Sequence, residues 1–511
     1  MTLTPKQRAI TKGKNEINKD ISRLIGMAKY CGLGELLYFL HYLHFTRLTH
    51  EILNIPEEKK EMLKIYGRRL DDAFKYQIQI LAKHAQSGFV KEDRCGMVIN
   101  SELINEMHKH ALEINAKFES VSFISTLNTV EVSGERDQHV RVKLAEIKDE
   151  HLSKFFKYNL RADREHSDER TPQLMGAFFD YFKDEYEPYS DLFLKEFKIT
   201  IEEFIELIKW LIDNINLKIT SQQKNFPLTK NGKVDIHDYR SIMLYGSSLL
   251  IEKEDIYSRF GEKVKHILSK LVFKTSSYNE QELKFNIIER QPLIEKEDFF
   301  VVSPELLLDS FYANSHYSLL ESGAIKEEYK KRYSKIFVDK ILLKAQQYGF
   351  REFLRDFELY EGKNQIGDID LIVTNDKNEF LMIEAKNHSV PLDVYVHDFE
   401  ATKARLQTLQ REWVAKVRRR VLNLQKYHEK YGISKDFKYI IVSKSPEIVS
   451  HFSDFLILSL REFGTWISAQ DLQKSFADLY EQLYELDDTL TKKQLNSITK
   501  DLLSHWTFTN E

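Results

Sequence analysis

Residues 367–386 read GDIDLIVTNDKNEFLMIEAK, and this stretch decides how the C-terminal part of the chain is read. Two apolar runs flank the polar turn Asn375, Asp376, Lys377, Asn378. Side chains alternate faces along a strand, so Asp368, Asp370 and Ile372 share one face of the first run. By the same rule Phe380, Met382, Glu384 and Lys386 share one face of the second. A hairpin centred on Lys377 sets Asp370 opposite Glu384 with Cβ atoms about 5 Å apart, a spacing that suits two carboxylates sharing a cation.

Working outward, residues 333–348 have a helical pattern ended by Gly349, and residues 357–359 begin a strand before Gly362 and Gly367 interrupt the chain. After the hairpin, a long helical pattern over 398–431 stops at Gly432. Residues 439–443, YIIVS, form a buried-type strand, and 455–460 add one more. This order of strands and helix predicts a small mixed sheet with helices on its faces.

The rest of the chain is mostly helical in pattern. Apolar residues recur at spacings of three and four from about 15 to 120. Pro56 and the acids after it mark a helix start. VSFISTL (121–127) and HVRVKLAEI (139–147) read as a short β pair around Ser133, Gly134 and Asp137. The charged run 161–170 reads as an exposed loop or a solvated helix face. A second helical block covers 173–272, with Thr200 and Glu203 spaced as a capping box and the loop 221–235 behind that helix. Residues 285–308 suggest two short strands around the acidic turn EKED, and the tail from 469 is helical. The expected fold class is α+β or α/β. Helical regions 1–170 and 171–330 precede a domain at 331–468 with a small mixed sheet, and a helical tail occupies 469–511.

A chain of 511 residues holds two to four domains at roughly 150 residues each. No apolar run approaches the roughly 20 residues that span a bilayer, so no membrane association is expected. The polar start has no secretory core, and Cys31 and Cys95 are too few for a disulfide framework, which together read as a cytoplasmic protein. The net charge of -4 makes any anion-binding surface a local one. No G-x4-GK-[ST] loop occurs, so P-loop nucleotide hydrolysis is not expected.

Gly367, Asp370, Glu384 and Lys386 form the pattern G-x-x-D followed by E-x-K. Residues from about 333 to 460 thereby resemble the restriction-endonuclease-like, or PD-(D/E)xK, nucleases. The resemblance implies a phosphodiesterase that cuts DNA with Mg²⁺ or Mn²⁺, held by Asp370, Glu384 and the backbone carbonyl of Ala385. Hard oxygen donors suit such ions. Lys386 would position the attacking water or stabilise the phosphoryl anion. The family commonly adds an acid from the preceding helix, and Asp339, on a stripe with Ile336 and Leu343, is the candidate, although members more often carry Glu there. Asp368, on the face of Asp370, is a weaker one.

The helix after the hairpin carries Lys403, Arg405, Arg411, Lys416, Arg418, Arg419, Arg420, Lys426 and Lys430 against Glu412 and Glu429. Leu406, Leu409, Trp413, Val417, Val421 and Leu424 form its apolar stripe, which leaves Lys416, Arg418, Arg419 and Arg420 to meet phosphates. Taken alone, a run such as Arg418–Arg420 is more often a solvated face.

Two further function classes compete. Arg161 and His166 match the R-x4-H spacing of the HEPN ribonucleases, although Ala162 stands where those proteins usually have a polar residue; RNA is therefore an alternative substrate. The other class is a non-catalytic binding or assembly protein with a degenerate nuclease domain. His41, His44 and His50 read as core or surface histidines rather than metal ligands. A nuclease with a large helical region suits defence against foreign DNA, with that region regulating it or joining copies or a partner protein.

Overall fold

A computed structural model describes residues 3–52, 57–85, 100–126, 130–133, 139–142, 154–155, 157–162, 165, 175–223, 247–281, 286–388, 390–391, 394 and 398–484. The protein is a mixed α+β chain with a helical N-terminal region and a five-stranded mixed sheet in its C-terminal region. It divides into two compact units. One comprises Thr11–Phe118 and Arg170–Tyr329; the other comprises Met1–Ile10, Glu119–Glu169 and Lys330–Glu511. Among the described residues no helix is long and apolar enough to cross a membrane. Pro56, Gly134, Asp137, His166, most of the loop 221–235 and the tail beyond 484 lie outside the described residues.

The first unit is built mainly of helices. In its core Phe182, Phe193, Phe204 and Phe311 are buried, and the Phe204 ring lies 5.1 Å from Phe311, 5.8 Å from Phe182 and 5.7 Å from Phe193. Such ring pairs add about 0.5–1.5 kcal/mol each beyond their area burial. The helix Ile201–Gln223 starts with the expected capping box: Thr200 N donates to Glu203 Oε2 at 2.9 Å, and Glu203 N to Thr200 Oγ1 at 3.2 Å.

Strands β1 (Val130–Ser133) and β2 (His139–Val142) pair antiparallel in the second unit. VSFIST, expected as a strand, instead ends the helix Ser101–Thr126. Val121 and Ile124 are buried together with Ser120, Ser122 and Ser125, so packing of a helical face overrides β-branched propensity. In the first unit, β3 (Leu249–Glu252), β4 (Ile294–Lys296) and β5 (Phe299–Val302) form a small sheet of order β3-β5-β4, with β4 and β5 joined through the expected acidic turn.

The five-stranded sheet comprises β6 (Arg351–Glu361), β7 (Asn364–Thr374), β8 (Phe380–Lys386), β9 (Phe437–Ser443) and β10 (Leu456–Ser459), in the order β10-β9-β8-β7-β6. Strands β6, β7 and β8 run antiparallel, and β8, β9 and β10 run parallel. Gly367, expected to break the chain, lies inside β7. The β7–β8 loop is an Asx-type turn, with Asn375 Oδ1 accepting from Lys377 N at 3.0 Å and Glu379 N at 3.1 Å. Thr374 pairs with Phe380, so the hairpin is centred on Lys377.

The two faces of this sheet carry different work. Leu371, Val373, Leu381, Ile383, Ile440 and Val442 pack with Phe337, Val338 and Ile341 of the helix Lys326–Gln346. Alternation turns Asp370, Met382, Glu384 and Tyr439 to the opposite face. A parallel β8–β9 pair needs a crossover, supplied by helical segments Phe399–Leu409, Gln410–Val414 and Ala415–Tyr431.

Candidate active site

The β7–β8 ladder pairs Leu371 with Ile383, so the next cross-strand pair in register is Asp370 with Glu384, as the turn centre requires. Asp370 Oδ2 accepts from Ala385 N at 2.7 Å. Glu384 is 6% exposed. Its Oε1 accepts from Lys386 Nζ at 2.5 Å, and its Oε2 accepts from Tyr439 Oη at 3.0 Å and from Arg420 Nη1. Asp370, Glu384 and Lys386 are thus brought together.

Their charges are set by what each touches. Burial, then the neighbouring Glu384, pushes the Asp370 carboxyl up to about 6. Burial also pushes Glu384 upward, but the Lys386 ammonium and the Arg420 guanidinium outweigh it and hold that carboxyl below its ordinary range. Burial and the adjacent Glu384 raise the Tyr439 phenol well above its ordinary value, so it remains a proton donor.

Arg420 belongs to the site in a way the sequence did not reveal. It is 7% exposed, whereas Lys416, Arg418 and Arg419 are exposed. Its Nη2 lies 3.7 Å from Asp368 Oδ1, so the guanidinium spans Asp368 and Glu384. Gly367 has φ +137°, and a Cβ built there would stand 2.8 Å from Arg420 Cζ and overlap its nitrogens. A side chain there would have to displace the guanidinium, and the φ of +137° already favours glycine on its own. Arg420 is three residues after Val417 and four before Leu424, both buried, so it falls on the apolar stripe. That stripe was read with Val421 in this position, and Val421 is half-buried.

The other basic residues face outward or are tied to the module. Arg418 Nη2 lies 3.2 Å from Asp454 Oδ2, and Arg419 Nη2 donates to Ile366 O at 2.7 Å. Asp339 does not join the carboxylate pair. Its Oδ1 accepts from Arg355 Nη1 at 2.6 Å, and its helix packs on the Leu371 and Ile383 face, opposite to Asp370. Arg161, read on an exposed run, is 0% exposed and donates to Glu462 Oε1 at 2.5 Å and Oε2 at 2.7 Å. His44 Nδ1 lies 2.8 Å from Glu305 Oε1, within hydrogen-bond distance.

In the first unit Asp71, Glu289 and Asp309 offer carboxylate oxygens within 4.8 Å of one another and could bind a metal ion. Lys75 Nζ is already among them, at 2.8 Å from Asp71, 2.5 Å from Glu289 and 2.8 Å from Asp309.

The Asp370 pair fits a divalent cation in donor chemistry. Both groups are hard oxygen donors, and the Ala385 N–H bonds Asp370 through Oδ2, so Oδ1 would be the oxygen offered to an ion. The Lys386 carbonyl accepts from Lys444 N at 3.0 Å on the β9 side. Strand alternation therefore turns the Ala385 carbonyl to the β7 side, where the Ala385 N–H already meets Asp370. No protein-family model matches the chain, and no curated protein matches it in sequence.

Proposed function

We propose that the sheet β6–β10 with its flanking helices is a restriction-endonuclease-like core, and that it hydrolyses phosphodiester bonds in DNA with Mg²⁺ or Mn²⁺. The observation that carries this reading is the convergence of Asp370, from the interior of β7, with Glu384 and Lys386, at the C-terminal end of β8, on one face. Asp370 Oδ1, Glu384 and the Ala385 carbonyl would hold the ion. When bound, it lowers the pKa of a water and neutralises phosphoryl charge. Lys386 Nζ, half-buried beside Glu384, orients the attacking water and stabilises charge on the phosphoryl oxygens. The exposed Lys416, Arg418 and Arg419 supply phosphate contacts that carry no base specificity.

The helical region that precedes this core is proposed to regulate it, as foreign-DNA defence would require; the support is analogy alone. Plasmid cleavage with Mg²⁺ is expected for the wild type and not for Asp370→Ala or Lys386→Ala. Equal cleavage by all three removes the proposed site. Offering RNA with and without EDTA decides between substrates, with metal-dependent cutting of RNA in preference to DNA replacing DNA in this reading.

A further inference from the structure

We propose that Arg420, whose guanidinium lies over Gly367, is a positioning residue that selects which oxygen of Glu384 faces the ion. The inference rests on the nuclease reading of the same site. Glu384 has two carboxylate oxygens with different partners. Oε2 is held by Arg420 Nη1 and by Tyr439 Oη at 3.0 Å, both of them on buried side chains. Oε1 is held by Lys386 Nζ at 2.5 Å, on a side chain that is 20% exposed and ends a flexible stem.

The arginine cannot leave Oε2 as readily as the lysine can leave Oε1. The Arg420 guanidinium is planar, lies over Gly367, and is anchored a second time near Asp368. Oε1 is therefore the oxygen released to a cation, and Lys386 moves from it towards water and phosphate. Arg420 and Tyr439 keep the carboxylate from rotating and satisfy the oxygen that faces inward. In this arrangement Arg420 makes no contact with nucleic acid, unlike Arg418 and Arg419 on the same helix.

The test uses the full chain and three measurements: Mn²⁺ affinity by calorimetry, steady-state plasmid cleavage, and thermal unfolding. Arg420→Lys keeps the charge but loses the fork that reaches both carboxylates. It is expected to weaken Mn²⁺ binding and lower kcat by about 10- to 100-fold each, with KM for DNA and its salt dependence unchanged. Gly367→Ala, whose methyl group meets the guanidinium and also strains the backbone at φ +137°, should weaken Mn²⁺ binding as well and lower the unfolding temperature besides. Tyr439→Phe is isosteric and removes one donor from Oε2, so a loss of about threefold to tenfold in Mn²⁺ affinity is expected. It decides the matter if the other variants fail to fold.

Wild-type Mn²⁺ affinity in Arg420→Lys or in Tyr439→Phe overturns the inference, as does a lowered unfolding temperature with Mn²⁺ affinity unchanged. A rise in KM with a shallower salt dependence also overturns it, because that marks a phosphate contact. A wild-type chain that neither binds Mn²⁺ nor cuts DNA overturns the nuclease reading, and the inference with it.

Discussion

In the unit containing the helix Glu57–His84, Lys75 sits among Asp71, Glu289 and Asp309, whereas in the sheet unit Arg420 and Lys386 sit among Asp368, Asp370 and Glu384. An ammonium has three N–H donors, and Lys75 gives each carboxylate a contact between 2.5 and 2.8 Å. The centre of that cluster is filled by the protein's own cation. In the sheet unit both basic groups go to Glu384, while Asp370 receives a backbone N–H and an upward push to about 6. Clusters of similar composition thus differ in where their cations are spent. One is matched within itself, and the other keeps a carboxylate whose ionised form is poorly compensated.

The largest expected effect breaks the comparison on the sheet side. Asp370→Ala or Glu384→Gln should lower plasmid cleavage by at least about 10²–10³-fold, whereas substitutions at Asp71 or Asp309 should leave the rate per folded molecule unchanged. Cleavage that survives the first pair and is lost with the second would exchange the roles of the two clusters.

Next comes Lys75→Met, which leaves three partly buried carboxylates without their shared cation and should cost up to about 3 kcal/mol in urea unfolding. Millimolar Mn²⁺ should restore part of that stability, because the triad then lacks its ammonium. No response to Mn²⁺ would show that the triad is not a cation site even when vacated.

A comparable effect follows from Asp370. Its carboxyl is held at about 6 in the folded chain against about 4 in an unfolded one, so the folded state binds the proton more tightly. The stability it contributes is complete below pH about 4 and is lost as pH rises through about 6. In chelator, Asp370→Asn should therefore be more stable than wild type by about 3 kcal/mol at pH 8 and equal to it at pH 3.5. Equal stability at both would mean that Asp370 is compensated after all. The smallest change is at the surface: Arg418→Ala with Arg419→Ala should raise KM for DNA several-fold and flatten its salt slope by about one to two, leaving kcat intact.

Local signals were legible where chemistry acts between near neighbours. Thr200 and Glu203 cap a helix across three residues, Gly432 ends another at φ +67°, and the turn around Lys377 carries Asp370 to Glu384 by counting in twos. Failures came where distant packing decided. Val121 and Ile124 continue a helix because that face is buried, and Arg161 is buried because Glu462, far along the chain, accepts both of its bonds. Asp339 met a helical spacing with Ile336 and Leu343, but that stripe is not the packed one: Leu343 is 60% exposed, Phe337, Val338 and Ile341 meet the sheet instead, and Asp339 pairs with Arg355.

The sequence by itself determined the β7–β8 hairpin, its register and the carboxylate pair, because alternation and turn length are properties of neighbouring residues. Only the tertiary structure decided that Arg420 leaves the basic surface of its helix for Glu384, that its guanidinium lies over Gly367, and that Lys75 occupies the other acidic cluster. Those outcomes depend on side chains brought together from distant segments, and no local pattern carries that information.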